Sequence, residues 1–132
     1  MFCRERAARF SAIRDELVEA GVSLSFIGNG TPAMAQAFRE DFDVRGALYT
    51  DPARTSYQAL GLKRSFGLMK SLARGRRALA GGFRQGKPGG DVWQQGGVIL
   101  FDPSGVVRWK HVDDGAGHQT DLNALRRGIA AL

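Results

Sequence analysis

The segment Gly96-Gly97-Val98-Ile99-Leu100-Phe101-Asp102-Pro103-Ser104-Gly105 joins a continuous apolar run directly to a turn. Its four consecutive apolar residues, Val98 to Phe101, predict a strand covered on both faces and therefore at the centre of a sheet. Asp-Pro-Ser-Gly is strong turn chemistry, so Val106 to Val112 is expected to return antiparallel as a hairpin partner. Side chains alternate along a strand, which places Val107, Trp109 and His111 on one face.

The chain before this hairpin alternates helical and strand patterns. Cys3, Ala7, Phe10, Ile13, Leu17 and Ala20 recur at spacings of three and four with Arg and Glu between them, predicting an amphipathic helix over 3–20 that ends at Gly21, with Cys3 on its apolar stripe. Ser23 to Ile27 reads as a strand. Thr31-Pro32 then supplies an N-cap and a first-turn proline for a helix running to about Phe42. Ala47 to Tyr49 forms a short strand, and Asp51-Pro52 starts a helix that carries Tyr57 and Leu60 and stops at Gly61. Thr120 or Asp121 can cap a last helix bearing Leu122, Leu125, Ile129 and Leu132. This order is α/β.

Between the third helix and the hairpin the pattern loosens. Phe66, Met69, Leu72 and Leu79 suggest short helices, while Gly81-Gly82, Gly86 and Pro88-Gly89-Gly90 mark loop, so residues 62–95 read as an excursion from the core fold. Its charge is uneven. From Asp51 to Asp91 lie Arg54, Lys63, Arg64, Lys70, Arg74, Arg76, Arg77, Arg84 and Lys87 without one acid between them. That stretch supplies +9, the rest of the chain −3, and the net charge is +6. A block of this kind attracts phosphate or acidic partners, yet it is more simply a solvated surface segment. Phe66, Phe83 and Trp93 are interleaved as possible stacking platforms, but no nucleic-acid-binding motif accompanies them.

At 132 residues the chain has the size of one domain. No apolar run is long enough to cross a bilayer. No basic-then-apolar leader precedes the first helical pattern, and one cysteine excludes an internal disulfide framework. The expected location is therefore the cytoplasm.

Cys3-Arg4-Glu5, the Asp51-Pro52 turn with Tyr57-Gln58-Ala59-Leu60-Gly61-Leu62, and the Gly96 to Gly105 segment followed by Trp109-Lys110-His111 together resemble the AhpC/TSA-type, peroxiredoxin-like antioxidant family of the thioredoxin-like superfamily. The resemblance spans nearly the whole chain and implies a thioredoxin-like three-layer sandwich with a mixed sheet. Family members usually carry Cys-x-x-Cys-Arg-Glu after a strand. Here Cys3 matches the second cysteine, and the first would fall immediately before Met1, so the resemblance implies that the first strand and first motif cysteine are missing. That strand is central in the fold, between those matching Ser23 to Ile27 and Gly97 to Asp102. Its loss is expected to leave unpaired backbone and apolar edges through which the chain could dimerise. Where thioredoxin places a cis-proline facing its thiols, this chain has Gly96-Gly97.

Cys3, Arg4 and Arg6 are the candidate catalytic residues. A helix start offers unpaired N–H groups and a positive dipole end, and Arg4 and Arg6 add charge, all of which favour the reactive thiolate, whereas Glu5 opposes it. The resemblance leaves two mappings open: Cys3 as the resolving cysteine of a Cys-x-x-Cys oxidoreductase, or as the peroxide-reactive cysteine of a peroxiredoxin. Without the resemblance, Cys3 reads as a half-buried helix residue. The substrate implied is a small peroxide or disulfide, the reductant thioredoxin or glutathione, with no cofactor and no metal. The competing reading is a non-catalytic thioredoxin-like module that binds an acidic partner through the basic 63–87 segment.

Of the two histidines, His111 reads as a core residue of the hairpin. His118 sits in a loop with Asp113 and Asp114, a grouping whose spacing is unspecific for metal. Gly28-Asn29-Gly30-Thr31 lacks the Gly-Lys-Ser/Thr of a phosphate loop and reads as a plain strand-to-helix turn.

Overall fold

The computed structural model describes residues 2–64, 80, 94–114 and 118–132. The elements are α1 (Phe2–Ala12), α2 (Arg14–Glu19), β1 (Ser25–Gly28), α3 (Pro32–Phe42), β2 (Ala47–Thr50), α4 (Thr55–Ala59), β3 (Gly97–Phe101), β4 (Val107–Val112) and α5 (Leu122–Ala130). The α/β order expected from the sequence is observed, with one division. The helix predicted over 3–20 breaks at Ile13, and Gly21 closes α2 in the left-handed region at φ +75°.

Local chemistry explains most element ends. Thr31 Oγ1 accepts from Met34 N–H at 3.4 Å, and Pro32 opens α3 without leaving a backbone donor unpaired. The Asp51 carboxylate accepts from Thr55 N–H at 3.1 Å and Ser56 N–H at 2.8 Å, which starts α4. Of the two caps weighed for the last helix, Asp121 is the one used: its Oδ1 accepts from Asn123 N–H at 2.9 Å and Ala124 N–H at 3.2 Å. In the β3–β4 turn, Asp102 Oδ1 accepts from Ser104 N–H at 2.9 Å and Val106 N–H at 3.0 Å. The hairpin carries a bulge. Leu100 faces Trp109 and Phe101 faces Val107, so Arg108 is the extra residue, and its Nε lies 2.7 Å from Asp102 Oδ2.

β1 and β2 pair in parallel, β3 and β4 antiparallel, and among the described residues these are two separate two-stranded sheets. A single mixed sheet was the sequence expectation. The difference follows from pairing: no described strand bonds to β1 and β3 together, the place the central strand holds in the fold the sequence resembles. For the same reason β3 is not the doubly covered central strand its apolar run predicted. Only Leu100 is buried in it, and Phe101 is 47% exposed.

A shared core joins the two strand pairs. Phe10, Leu17 and Leu125 are buried, and Leu24 just before β1, Phe26 within it, and Val98 and Trp109 from the second pair pack against them with Ile13, Leu122 and Ile129. Arg126 in the middle of α5 grips Glu16 of α2 through two bonds of 2.5 and 2.9 Å.

The excursion is pinched where it leaves and rejoins the fold. Arg64 and Gln94 form an antiparallel bridge, Gln95 N–H donates to the Lys63 carbonyl at 2.9 Å, and Gln94 Nε2 donates to the Leu62 carbonyl at 2.9 Å. Most of the basic stretch, including Lys70, Arg74, Arg76, Arg77, Arg84 and Lys87, lies outside the described residues, as do the short helices expected around Phe66 to Leu79.

Candidate functional site

The first turns of α1 meet the end of β4 and the segment entering α5. Cys3, the sole cysteine of the chain, is exposed there. It shares the helix face of the buried Ala7 and Phe10, but that stripe runs past the end of the core, so the half-buried position expected for Cys3 is not observed. Glu5 is buried instead, on another side of α1, where Gln119 Nε2 donates to its carboxylate.

The two candidate arginines part company. Arg4 lays its guanidinium over the Phe42 ring at 4.6 Å, a cation–π contact that ties α1 to the end of α3. Arg6, three residues beyond Cys3 and so on a neighbouring position of the helix surface, turns toward the hairpin. Its Nη2 donates to Asp113 Oδ1 at 2.5 Å and to the His118 carbonyl at 2.9 Å. Asp113 is 7% exposed, and Arg6 supplies the opposite charge beside its carboxylate.

Gly96 makes room for that ion pair. A Cβ built on Gly96 would lie 2.7 Å from both Arg6 Nη1 and Asp113 Oδ2, and one on Gly97 would lie 2.6 Å from the His111 carbonyl oxygen. The Gly96-Gly97 pair noted in the sequence therefore has a steric reason in this chain: close approach of a guanidinium, a carboxylate and the facing strand.

Tyr57 of α4 approaches from the other side. Its hydroxyl donates to the Ile27 carbonyl at 2.8 Å. Burial, then the Cys3 and Asp51 charges, push the phenol up to about 12 against the pull of Arg6, which places Tyr57 within the electrostatic reach of both Cys3 and Arg6. At neutral pH it is a protonated hydroxyl.

His111 and Asp113 are two residues apart and share a face at the end of β4. His111 Nε2 stands 3.4 Å from Asp113 Oδ1, yet it is buried and makes no hydrogen bond. Burial lowers the His111 pKa; the His118 and Arg6 charges push the same way and Asp113 opposes them. The His118 ring is tilted against that of His111 with centres 4.7 Å apart, and its Nδ1 accepts from Asp114 N–H at 3.1 Å. His111, rather than Asp114, is thus the third member of the group that the sequence assembled from His118, Asp113 and Asp114.

The pairing of Arg6 with Asp113 was not legible in the sequence. The parity of His111 and Asp113 on one strand was visible; their meeting with Arg6 depends on packing between the two ends of the chain.

A family model described as AhpC/TSA antioxidant enzyme matches residues 9–115. The chain belongs to the AhpC/TSA antioxidant enzyme family. It is similar to the chloroplastic thioredoxin-like protein AAED1 of Arabidopsis thaliana, at 32% identity over 99% of this chain and 58% of that protein. It is also similar to prostamide/prostaglandin F synthase of Salmo salar, at 29% identity over 96% of this chain and 67% of that protein, and to peroxiredoxin-like 2C of Takifugu rubripes, at 29% over 93% and 62%. The chain spans about three fifths of the length of the curated relatives it matches. Membership agrees with the resemblance carried by the Tyr57 to Leu62 and Gly96 to Gly105 words and with a thioredoxin-like fold. The family match takes in Tyr57, Gly96, His111 and Asp113 but begins after Cys3, Arg4 and Arg6.

Proposed function

We propose that the chain is a thiol-dependent redox protein that reduces a small peroxide, or exchanges a disulfide, through Cys3. The observation that carries this reading is the exposed thiol in the first turn of α1, with Arg6 one turn on. In the peroxide reaction the Cys3 thiolate attacks one peroxide oxygen and the O–O bond breaks. Cys3 becomes a sulfenic acid, and the leaving oxygen takes a proton to depart as water or alcohol. Because the chain holds no second thiol, the sulfenic acid condenses with an external thiol, releasing water, and a second external thiol frees Cys3 as a disulfide leaves. Thioredoxin or glutathione fills that role. Arg6 is anchored by Asp113 and the His118 carbonyl, which limits its motion and sets a fixed positive charge near the attack. Arg4 is engaged with Phe42 and contributes to the placement of α1 rather than to the peroxide.

Peroxide consumption coupled to thioredoxin or glutathione tests this reading. Wild type is expected to turn over and Cys3→Ser to stop; equal rates in the two proteins would remove it.

The competing reading is a binding module that offers its basic stretch to an acidic partner. The bridge between Arg64 and Gln94 favours it, since it brings the two ends of that stretch together. Retention on a polyanion column that falls steeply with salt, and falls again when Arg74, Arg76 and Arg77 are neutralised, is its expected signature. Retention indifferent to those three substitutions would end it.

A further inference from the structure

We propose that His111, Asp113 and His118 form a binding site for one late first-row divalent transition-metal ion, of which zinc is the reference case. Their ligand atoms all lie within 4.8 Å of one another. Two imidazoles and one carboxylate are a donor set suited to zinc, with a fourth position left for water.

Three features of the geometry favour a metal over a hydrogen-bonded cluster. First, His111 Nε2 is buried without a hydrogen bond, an arrangement that costs free energy unless a partner is supplied. Second, its separation from Asp113 Oδ1 is 3.4 Å with no hydrogen bond formed, a distance equal to the edge of a tetrahedron with metal–ligand bonds of about 2.0–2.1 Å, about 3.3–3.4 Å. Third, the His111 and His118 ring centres are 4.7 Å apart, close to the roughly 5 Å expected for two imidazoles bound to one tetrahedral ion.

The surrounding residues act as outer partners. Asp114 braces the His118 ring, its N–H donating to Nδ1 at 3.1 Å and its Oδ1 lying 3.2 Å from the same nitrogen. Arg6 holds the Asp113 carboxylate and the His118 carbonyl, fixing two of the three ligands, though its positive charge works against a cation and moderates affinity. Cys3 is not among the ligands, so the site does not depend on the thiol reading.

The test uses the full chain without an affinity tag, dialysed against zinc, with cobalt(II) as the spectroscopic probe. One ion per chain and the visible absorption of four-coordinate cobalt are expected. His111→Gln and His118→Gln should each weaken binding by more than the about 10–100-fold typical of losing an outer partner, while Cys3→Ser leaves it unchanged. Circular dichroism and a urea midpoint establish that each variant is folded, and His118→Gln, at a half-exposed position, keeps the test open if His111→Gln unfolds. No saturable binding at one equivalent, binding unchanged in a folded histidine variant, or loss of binding in Cys3→Ser would each overturn the site.

Discussion

Arg6 Nη2 and Asp113 Oδ1 meet at 2.5 Å across a separation of 107 residues, joining the first turns of α1 to the end of β4. The Asp113 side chain is 9% exposed and that of Arg6 24%, so the pair is partly desolvated, and removing one member strands the other. Asp113→Asn and Arg6→Gln are each expected to lower stability by about 2–3 kcal/mol in urea unfolding. The double variant should cost less than the sum of the two, because the second change removes the stranded charge. Additive losses would separate the pair energetically despite its geometry.

The two adjacent glycines before and within β3 should differ in tolerance. A Cβ on Gly97 meets the His111 backbone oxygen at 2.6 Å, and that atom is held in the strand pairing. A Cβ on Gly96 meets the ends of two side chains at 2.7 Å, which can shift. Gly97→Ala is therefore expected to cost more than about 3 kcal/mol and Gly96→Ala about 1–3 kcal/mol, with the Gly96 cost reduced in an Arg6→Ala background. Equal thermal midpoints for the two glycine variants would contradict this.

Acid should weaken the hairpin turn first through Asp102. The Ser104 hydroxyl, backbone N–H groups of Val106 and Ser104, and the Arg108 guanidinium hold its carboxyl far below the usual carboxylate range. A group whose folded pKa is depressed contributes stability that is present above its unfolded pKa, about 3.9, and is lost as pH falls toward the folded value. Stability against urea should fall on acidification below about pH 4. Asp102→Ala should be less stable than wild type at neutral pH, and the difference should shrink as pH drops. A difference that stays constant down to pH 2 would contradict the assignment.

Tyr57 supplies a hydroxyl to the Ile27 carbonyl and sits in the field of Cys3. Tyr57→Phe is expected to lose about 1 kcal/mol for that hydrogen bond. It should also abolish the tyrosine ionisation near 12 in an ultraviolet titration. If the thiol and phenol share the site, the variant also changes the pH dependence of Cys3 alkylation. An alkylation profile identical to wild type would remove Tyr57 from the surroundings of the thiol.

Features set by neighbours in the chain were legible in the sequence. Thr31-Pro32, Asp51, Asp102 and Asp121 each act within a few residues, and each starts or turns the element it was expected to. Features set by what lies above or beside an element were not. Val98 to Phe101 has the composition of a covered strand, but covering is supplied by other elements, and Phe101 is exposed. Cys3 has the helical phase of Ala7 and Phe10, but phase does not report where the core ends. In the site, the helix-start setting of Cys3 was readable, whereas the partition of Arg4 to Phe42 and Arg6 to Asp113 needed the packing of α1 against α3 and β4.

The central claim is that Cys3 is a peroxide-reactive thiol, and the most direct measurement is the second-order rate of its oxidation, followed by mass spectrometry with a sulfenic-acid trap. The expected result is one oxygen added at Cys3, trapped as a single adduct, at least about tenfold faster than in a cysteine peptide at the same pH, with the advantage reduced in Arg6→Gln. A Cys3 that oxidises no faster than the peptide, in a protein shown to be folded, would contradict the claim.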